Sequence, residues 1–185
     1  MRQFTVLGLA AAVAAYPFIL ISITLSPWFG VYDNALSDLG NTVTNGSVGY
    51  IFNLGLITAG GLMLVFSVLL LRDAANRKLP GVWVASLMLT SSDLILVGIF
   101  PENAGSIHGT VSLVFFIMSI LTILAYSIVS WLSKSAKIGA IALTFVILSS
   151  LVWLVEWPWT GVAIQEISTA VMSSTWLVLT VSRLE

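Results

Sequence analysis

Side chains able to do chemistry are few in this chain, so each can be weighed. The 185 residues include one histidine, eight acidic residues and no cysteine. The histidine, His108, ends the stretch GIFPENAGSIHG (Gly98 to Gly109), just after a Pro-Glu-Asn turn. A histidine beside a carboxylate can move a proton, help to hold a metal ion or grip a polar ligand. Without cysteine there are no disulfides, thiolate nucleophiles, iron–sulfur clusters or thiolate zinc sites. A lone histidine argues against a bis-histidine haem, and no lysine is expected within a helix, where a retinal would need one.

The elements that must position these groups are membrane helices. Hydrophobic residues make up 58% of the chain and charged residues only 8%, with a mean hydropathy of +1.06. Soluble domains carry about 25% charged residues, so this composition belongs to an integral membrane protein. Seven basic residues against eight acidic ones leave no basic face for nucleic acid. Spanning a bilayer core takes roughly 20 apolar residues per helix. Six runs qualify, at about 4–25, 48–71, 81–100, 108–132, 138–155 and 161–181. The first is too long for a secretory signal and is expected to be retained. Short connections predict one domain over 1–185, an all-α six-helix bundle.

The basic residues set the expected orientation. Arg2, Arg72, Arg77, Lys78, Lys134, Lys137 and Arg183 all fall on one side of such a bundle. The positive-inside rule makes that side cytoplasmic, with both termini inside a cell membrane. Asp73 and Glu185 then lie inside among the cations. Asp33, Asp38, Glu102, His108, Glu156 and Glu166 lie at or near the outer surface. Asp93 is expected within the third helix, roughly 12 Å below that surface at 1.5 Å per residue.

An Asp at such a depth costs about 2.5 to 3.5 kcal/mol on insertion scales and usually faces the bundle interior with a partner. Ser86, Thr90 and Asp93 follow i, i+4, i+7 spacing and share a helical face. Glu166, Thr169 and Ser173 repeat the theme in the sixth helix. Two polar stripes descending from one surface suggest a shared pocket open to the outside. Its expected core is Asp93 and His108 facing Asp38 and Glu166, with Glu102 and Glu156 as rim charges and Asn53 as a hydrogen-bonding wall. A carboxylate-rich set of His108, Asp38, Asp93 and Glu166 would favour magnesium, calcium or manganese over zinc if it held a metal. Packing glue for Asp93 and solvated caps for Glu102 and Glu156 are the plainer alternatives.

The first outer loop, Ser26 to Ser47, is long enough to cover such a pocket. Its NALSDLGNTVTNGS segment predicts a short surface helix followed by an Asn-Gly turn. Asn45-Gly46-Ser47 also fits a glycosylation acceptor, although a turn leading into helix two explains it as well. Trp28, Tyr32, Tyr50, Trp157 and Trp159 are expected as an interfacial belt. Gly8, Ala12, Ala15, Gly55 and Ala59 are expected to allow close helix contact.

The set Ser37-Asp38-Leu39-Gly40, Phe52-Asn53-Leu54-Gly55, Gly98-Ile99-Phe100-Pro101 and His108-Gly109 resembles the pattern of a family of archaeal and bacterial six-helix membrane proteins of unknown function. That family is distantly similar to the FRAG, DRAM and Sfk group, which is linked to lipid-anchor remodelling and membrane lipid organisation. The resemblance implies the fold and marks Ser37, Asp38, Asn53 and His108 as signature positions, without implying a reaction.

Three function classes follow. The first is a protein whose outward pocket binds a lipid headgroup or small polar ligand, with membrane lipids as its partners. The second is an intramembrane lipid hydrolase using His108, carboxylates and a divalent metal, or acid/base chemistry without one, although no serine stands out as a nucleophile. The third is a proton- or cation-coupled transporter using Asp93 and Glu166, against which stand the few polar groups towards the cytoplasm and the lack of an inverted repeat. The first fits an outer polar pocket without requiring a catalytic set.

Overall fold

The computed structural model describes residues 3–77 and 81–183, with side chains from Thr5 to Arg72 and from Gly81 to Arg183. Arg2, Lys78 and Glu185 lie outside the described residues, as do the side chains of Asp73 and Arg77.

Without water in the hydrocarbon layer, each backbone N–H and C=O must be satisfied within its own segment, and the apolar runs accordingly fold as helices. These are α1 (Gln3–Val13), α2 (Ala15–Leu25), α3 (Ser47–Arg77), α4 (Val82–Ile99), α5 (Ser106–Leu132), α6 (Ala136–Leu154) and α7 (Ala163–Val181). The first expected run is thus two helices, broken at Ala14. Pro17 explains the break, because it has no N–H to give the carbonyl of Val13.

Five stretches among the described residues are long and apolar enough to cross a membrane: Thr5–Leu25, Ser47–Arg72, Val82–Ile99, Ser106–Leu132 and Ala136–Leu154. The sixth expected span, α7, falls short on hydropathy because Gln165, Glu166 and a series of hydroxyl residues dilute it. It still packs in the bundle, along α1 and α6, with its first turns against the loop after α2. Lys137 also departs from expectation, since α6 begins early enough to include it in its first turn, exposed.

With α1 and α2 counted as one span, successive spans joined by loops alternate in direction, so the bundle has two unlike ends. Arg72, Lys134, Lys137 and Arg183 sit at the basic end, and Asp38, Glu102, His108, Glu156 and Glu166 at the acidic end. Two apolar clusters hold the bundle. Towards the basic end Phe66, Leu70, Trp83, Ile123, Trp176 and Val181 interlock. Trp83, Tyr126 and Trp176 meet edge to face with ring centroids 5.1 to 6.3 Å apart. Towards the acidic end Ile19, Phe52, Leu56, Val97 and Ala163 enclose two loop residues, Leu36 and Leu39.

Leu36 and Leu39 explain why the long loop folds inward. They belong to a 3₁₀ turn, Leu36–Gly40, and Leu39 is wholly buried. Burying each leucine contributes roughly 1.5 to 3 kcal/mol, enough to hold a short turn with little helical propensity of its own. The loop is pinned at both sides. Asn45 donates from Nδ2 to Ser26 Oγ (2.9 Å) and the Leu39 carbonyl (2.9 Å), while its Oδ1 accepts from the Trp28 indole (3.3 Å). Asn45 thus acts here as a bracket, and a sugar replacing one Nδ2 hydrogen would remove one of its two donated bonds. Gly46 follows with φ +54°, the left-handed turn expected at Asn-Gly.

At the other side, Gly161 and Ala163 donate backbone N–H bonds to the carbonyls of Tyr32 (2.8 Å) and Asn34 (3.0 Å). A side chain at Gly161 would run into the Asn34 backbone. The small residues behave as expected too, since Gly8 lies against Phe66 and Val181, and Gly55 against Phe18. Trp28, Tyr32, Tyr50 and Trp157 are exposed at the acidic end, with Trp157 and Trp159 stacked at 4.8 Å.

Candidate functional site

The 3₁₀ turn Leu36–Gly40 is the roof over a space inside the bundle. Below it lies a cavity of about 140 Å³, with walls from every helix except α6. Its polar top is formed by Ser37 of the turn, Ser112 of α5 and Glu166 of α7. Further down it is lined by Ile19, Leu56, Leu87, Leu94, Val97 and Phe115, and Trp176 and Leu177 lie towards its floor. From Glu166 to Leu177 is about 16 Å at 1.5 Å per residue, so the space is long and narrow.

Several hydroxyl residues also line this shaft, and most turn their polarity elsewhere, whereas Ser173 Oγ and, towards the floor, Trp176 Nε1 are buried without a hydrogen-bond partner among the described residues. Ser119 donates to the Phe115 carbonyl (2.8 Å), Thr90 to the Ser86 carbonyl (3.0 Å), and the Tyr16 hydroxyl to Ser174 Oγ (2.9 Å). Such back-bonded hydroxyls present mainly carbon to the cavity. Among the described residues, Glu166 is the only Asp, Glu, Lys, Arg or His on its wall.

Glu166 is 7% exposed and accepts the backbone N–H of Leu36. A carboxyl from α7 thus anchors the turn above the cavity. Burial opposes its charge most strongly, the N–H groups of Leu36 and Ser37 favour it, and the neighbouring carboxylates Asp38 and Glu102 oppose it.

His108 lies beside this roof, buried at 5% exposure in the first turn of α5. Its Nδ1 is 2.7 Å from the Phe100 carbonyl. A carbonyl only accepts, so Nδ1 carries a proton. Its Nε2 is 3.1 Å from Glu102 Oε2 and 3.1 Å from Ser112 Oγ. Nε2 can pair with the Glu102 carboxylate when it carries a proton and can accept the Ser112 O–H when it does not. Glu102 Oε2 also lies 3.5 Å from Ser37 Oγ, at the long limit of a hydrogen bond. The two roof hydroxyls, Ser37 and Ser112, thus border both the cavity and the His108–Glu102 pair.

The remaining expected residues hold the roof or stand apart. Asp38 Oδ2 accepts from Asn34 Nδ2 (3.1 Å) and the Ala35 N–H (3.0 Å), capping its own turn. Asn53 is buried and donates from Nδ2 to the Gly40 carbonyl (2.8 Å), tying the end of that turn to α3. Glu156 is exposed in the last loop with no side-chain bond among the described residues.

Asp93 is half-buried, contributes nothing to the cavity wall and makes no hydrogen bond or ion pair among the described residues. The reason is rotation about the helix axis. The wall of α4 consists of Leu87, Thr90, Leu94 and Val97, whereas Ser86 and Thr90 turn to the seam with α5, both reaching Thr122 (2.7 and 2.9 Å). Thr169 also leaves its expected stripe, accepting the Trp153 indole N–H (2.9 Å) on the side towards α6.

His108 is thus joined to Glu102 rather than directly to Asp93 or Glu166. Among the described residues, no three of His, Asp and Glu stand close enough to hold a metal ion. Sequence reasoning misses Ser112 and Asn34. The i, i+4 spacing of His108 and Ser112 is a signal for the first; the second, in an irregular loop, has none.

Residues 9–183 match the family model described as Protein of unknown function (DUF998). No curated protein and no solved structure matches the chain.

Proposed function

We propose, for a chain that belongs to the DUF998 family over nearly all its length, that the acidic end of the bundle is an outward-facing site for a membrane amphiphile. Its polar head sits beneath the 3₁₀ turn, and a chain end enters the shaft. The observation that carries this reading is one buried carboxyl, Glu166, alone among the described wall residues in being ionisable at neutral pH, at the top of a cavity whose walls are otherwise mainly carbon. Pockets that take amphiphiles combine apolar walls with a few placed polar groups. The outward orientation rests on the one-sided distribution of Lys and Arg. Coupled ion transport is less well supported, because no second acid or base continues the path below Glu166 on the cavity wall.

Purification followed by lipid extraction and mass spectrometry tests this proposal. The expected result is a co-purifying amphiphile that is depleted when Ala170 on the cavity wall is replaced by Phe. Equal recovery from both proteins would overturn it.

One observation favours a second reading as a hydrolase. Ser112 Oγ is 3.1 Å from His108 Nε2, whose ring is oriented through Nδ1 by the Phe100 carbonyl. In that reading Nε2 takes the Ser112 proton as the serine oxygen adds to an ester carbonyl. Glu102 competes for the same nitrogen, so binding remains the main proposal. A fluorophosphonate that labels the protein but not Ser112→Ala would bring the hydrolase forward.

A further inference from the structure

We infer that the amphiphile this site selects has one chain and a head that donates hydrogen bonds and bears no negative charge: a long-chain amine or alcohol. This inference rests on the binding proposal and adds the ligand's chemistry.

The chain count comes from the space. About 140 Å³ along a narrow shaft is comparable to an engineered apolar cavity that takes a single benzene. It has room for the end of one chain and none for a diacyl pair. Ala11, Ala12 and Ala15 line it on one side, Ala170 and Ser174 on another, so the walls are trimmed for something slender.

The head chemistry comes from the roof. A ligand head there meets Glu166, with Asp38 and Glu102 as the nearby charges. Among the described residues, the one basic group at the roof is His108, with both ring nitrogens already engaged by Phe100, Ser112 and Glu102. Arg72, Lys134, Lys137 and Arg183 are at the far end of the bundle. A phosphate or carboxylate head would enter a buried, acceptor-rich space without a free cation, which is costly. A donor head instead finds an acceptor. Leu36 N–H uses Oε2 of Glu166, and a carboxylate has further lone pairs to offer. An ammonium there would form a charge-assisted bond and a hydroxyl a weaker one.

Chain-brominated probes of one length test this inference in nanodiscs of the full chain at neutral pH, with an amine, an alcohol or a carboxylate as head. A bromine carried to the floor quenches Trp176, which is read alone in a protein whose other six tryptophans are replaced by phenylalanine, the background for every variant below. The amine is expected to quench at the lowest concentration, with the carboxylate weaker by about tenfold or more, the factor corresponding to one hydrogen bond to a charged group. Glu166→Gln keeps an acceptor for Leu36 and should bring the amine to the level of the alcohol. Because that variant can alter the roof, Ala170→Phe serves as a second: it leaves Glu166 in place and should abolish quenching by every probe.

Equal quenching by all three heads, or a preference for the carboxylate, would overturn the head selectivity while leaving the cavity as a lipid site. No quenching by any probe would overturn both proposals. A two-chain brominated lipid quenching as well as the single-chain amine would overturn the chain count alone.

Discussion

Helices α4 and α7 carry the same kind of polar stripe, three residues ending or beginning in a carboxyl near the acidic end, and they use it differently. On α7, Glu166 is buried, lines the cavity and holds the N–H of Leu36. On α4, Asp93 is half-buried, and the stripe it belongs to serves the seam with α5 through Thr122. The difference lies in what each helix faces. The loop after α2 folds its backbone donors over α7, because Leu36 and Leu39 bury themselves there. Among the described residues, none donates a hydrogen bond to Asp93. A membrane carboxyl becomes a site when something inside the bundle answers it, and helical spacing alone does not say whether that happens.

This contrast can be broken or sharpened by substitution. The largest effect is expected from Glu166→Ala, which leaves the buried Leu36 N–H without its acceptor. A group stranded in this way costs about 1 to 3 kcal/mol, so thermal unfolding in detergent should fall clearly and amphiphile binding should be lost. Glu166→Gln should recover most of the stability, since an amide oxygen still accepts. If the alanine variant unfolds like the parent, the turn does not depend on this bond.

Asn53→Ala should come next. It removes the donor to the Gly40 carbonyl and costs about 1 kcal/mol, because a single carbonyl is easier to satisfy otherwise than a stranded N–H. Hydrogen exchange should show faster opening of Leu36–Gly40 with the helices unchanged. Protection of that turn at parental levels would assign its order to Leu36 and Leu39 alone.

The substitution Ser86→Ala probes the part of the other stripe that lies off the cavity wall, where Ser86 reaches Thr122. Interhelical hydrogen bonds in membranes average about 0.6 kcal/mol, so a small fall in unfolding temperature is expected with amphiphile binding retained. Loss of binding would place the seam within the site.

The smallest effect is expected from Asp93→Ala. Binding should match the parent, and stability should stay level or rise, because a charge that costs about 2.5 to 3.5 kcal/mol on insertion scales is removed without breaking a bond. Lost binding would restore Asp93 to the pocket that its spacing suggests.

Much of the architecture is legible in the residues themselves. The apolar runs require helices, and the break near Pro17 is the one place where a proline removes an expected backbone bond. The site is legible in part. The placement of His108 and Glu166 at one end is foreseeable, because a long apolar run limits where a polar residue can lie. Their partners are not. The acceptor for His108 Nδ1 is a backbone carbonyl at Phe100, and the donor to Glu166 is a backbone N–H at Leu36, groups present in nearly every residue and marked by no side-chain type.

The sequence by itself determined the medium, the helices and the segregation of acidic from basic ends, because lipid solvation acts residue by residue and sums along the chain. Only the tertiary structure decided which carboxyl faces the cavity, that the loop closes over it, and that His108 pairs with Glu102. These depend on how far each helix is turned about its own axis and on a loop held by two buried leucines, neither of which spacing or composition specifies.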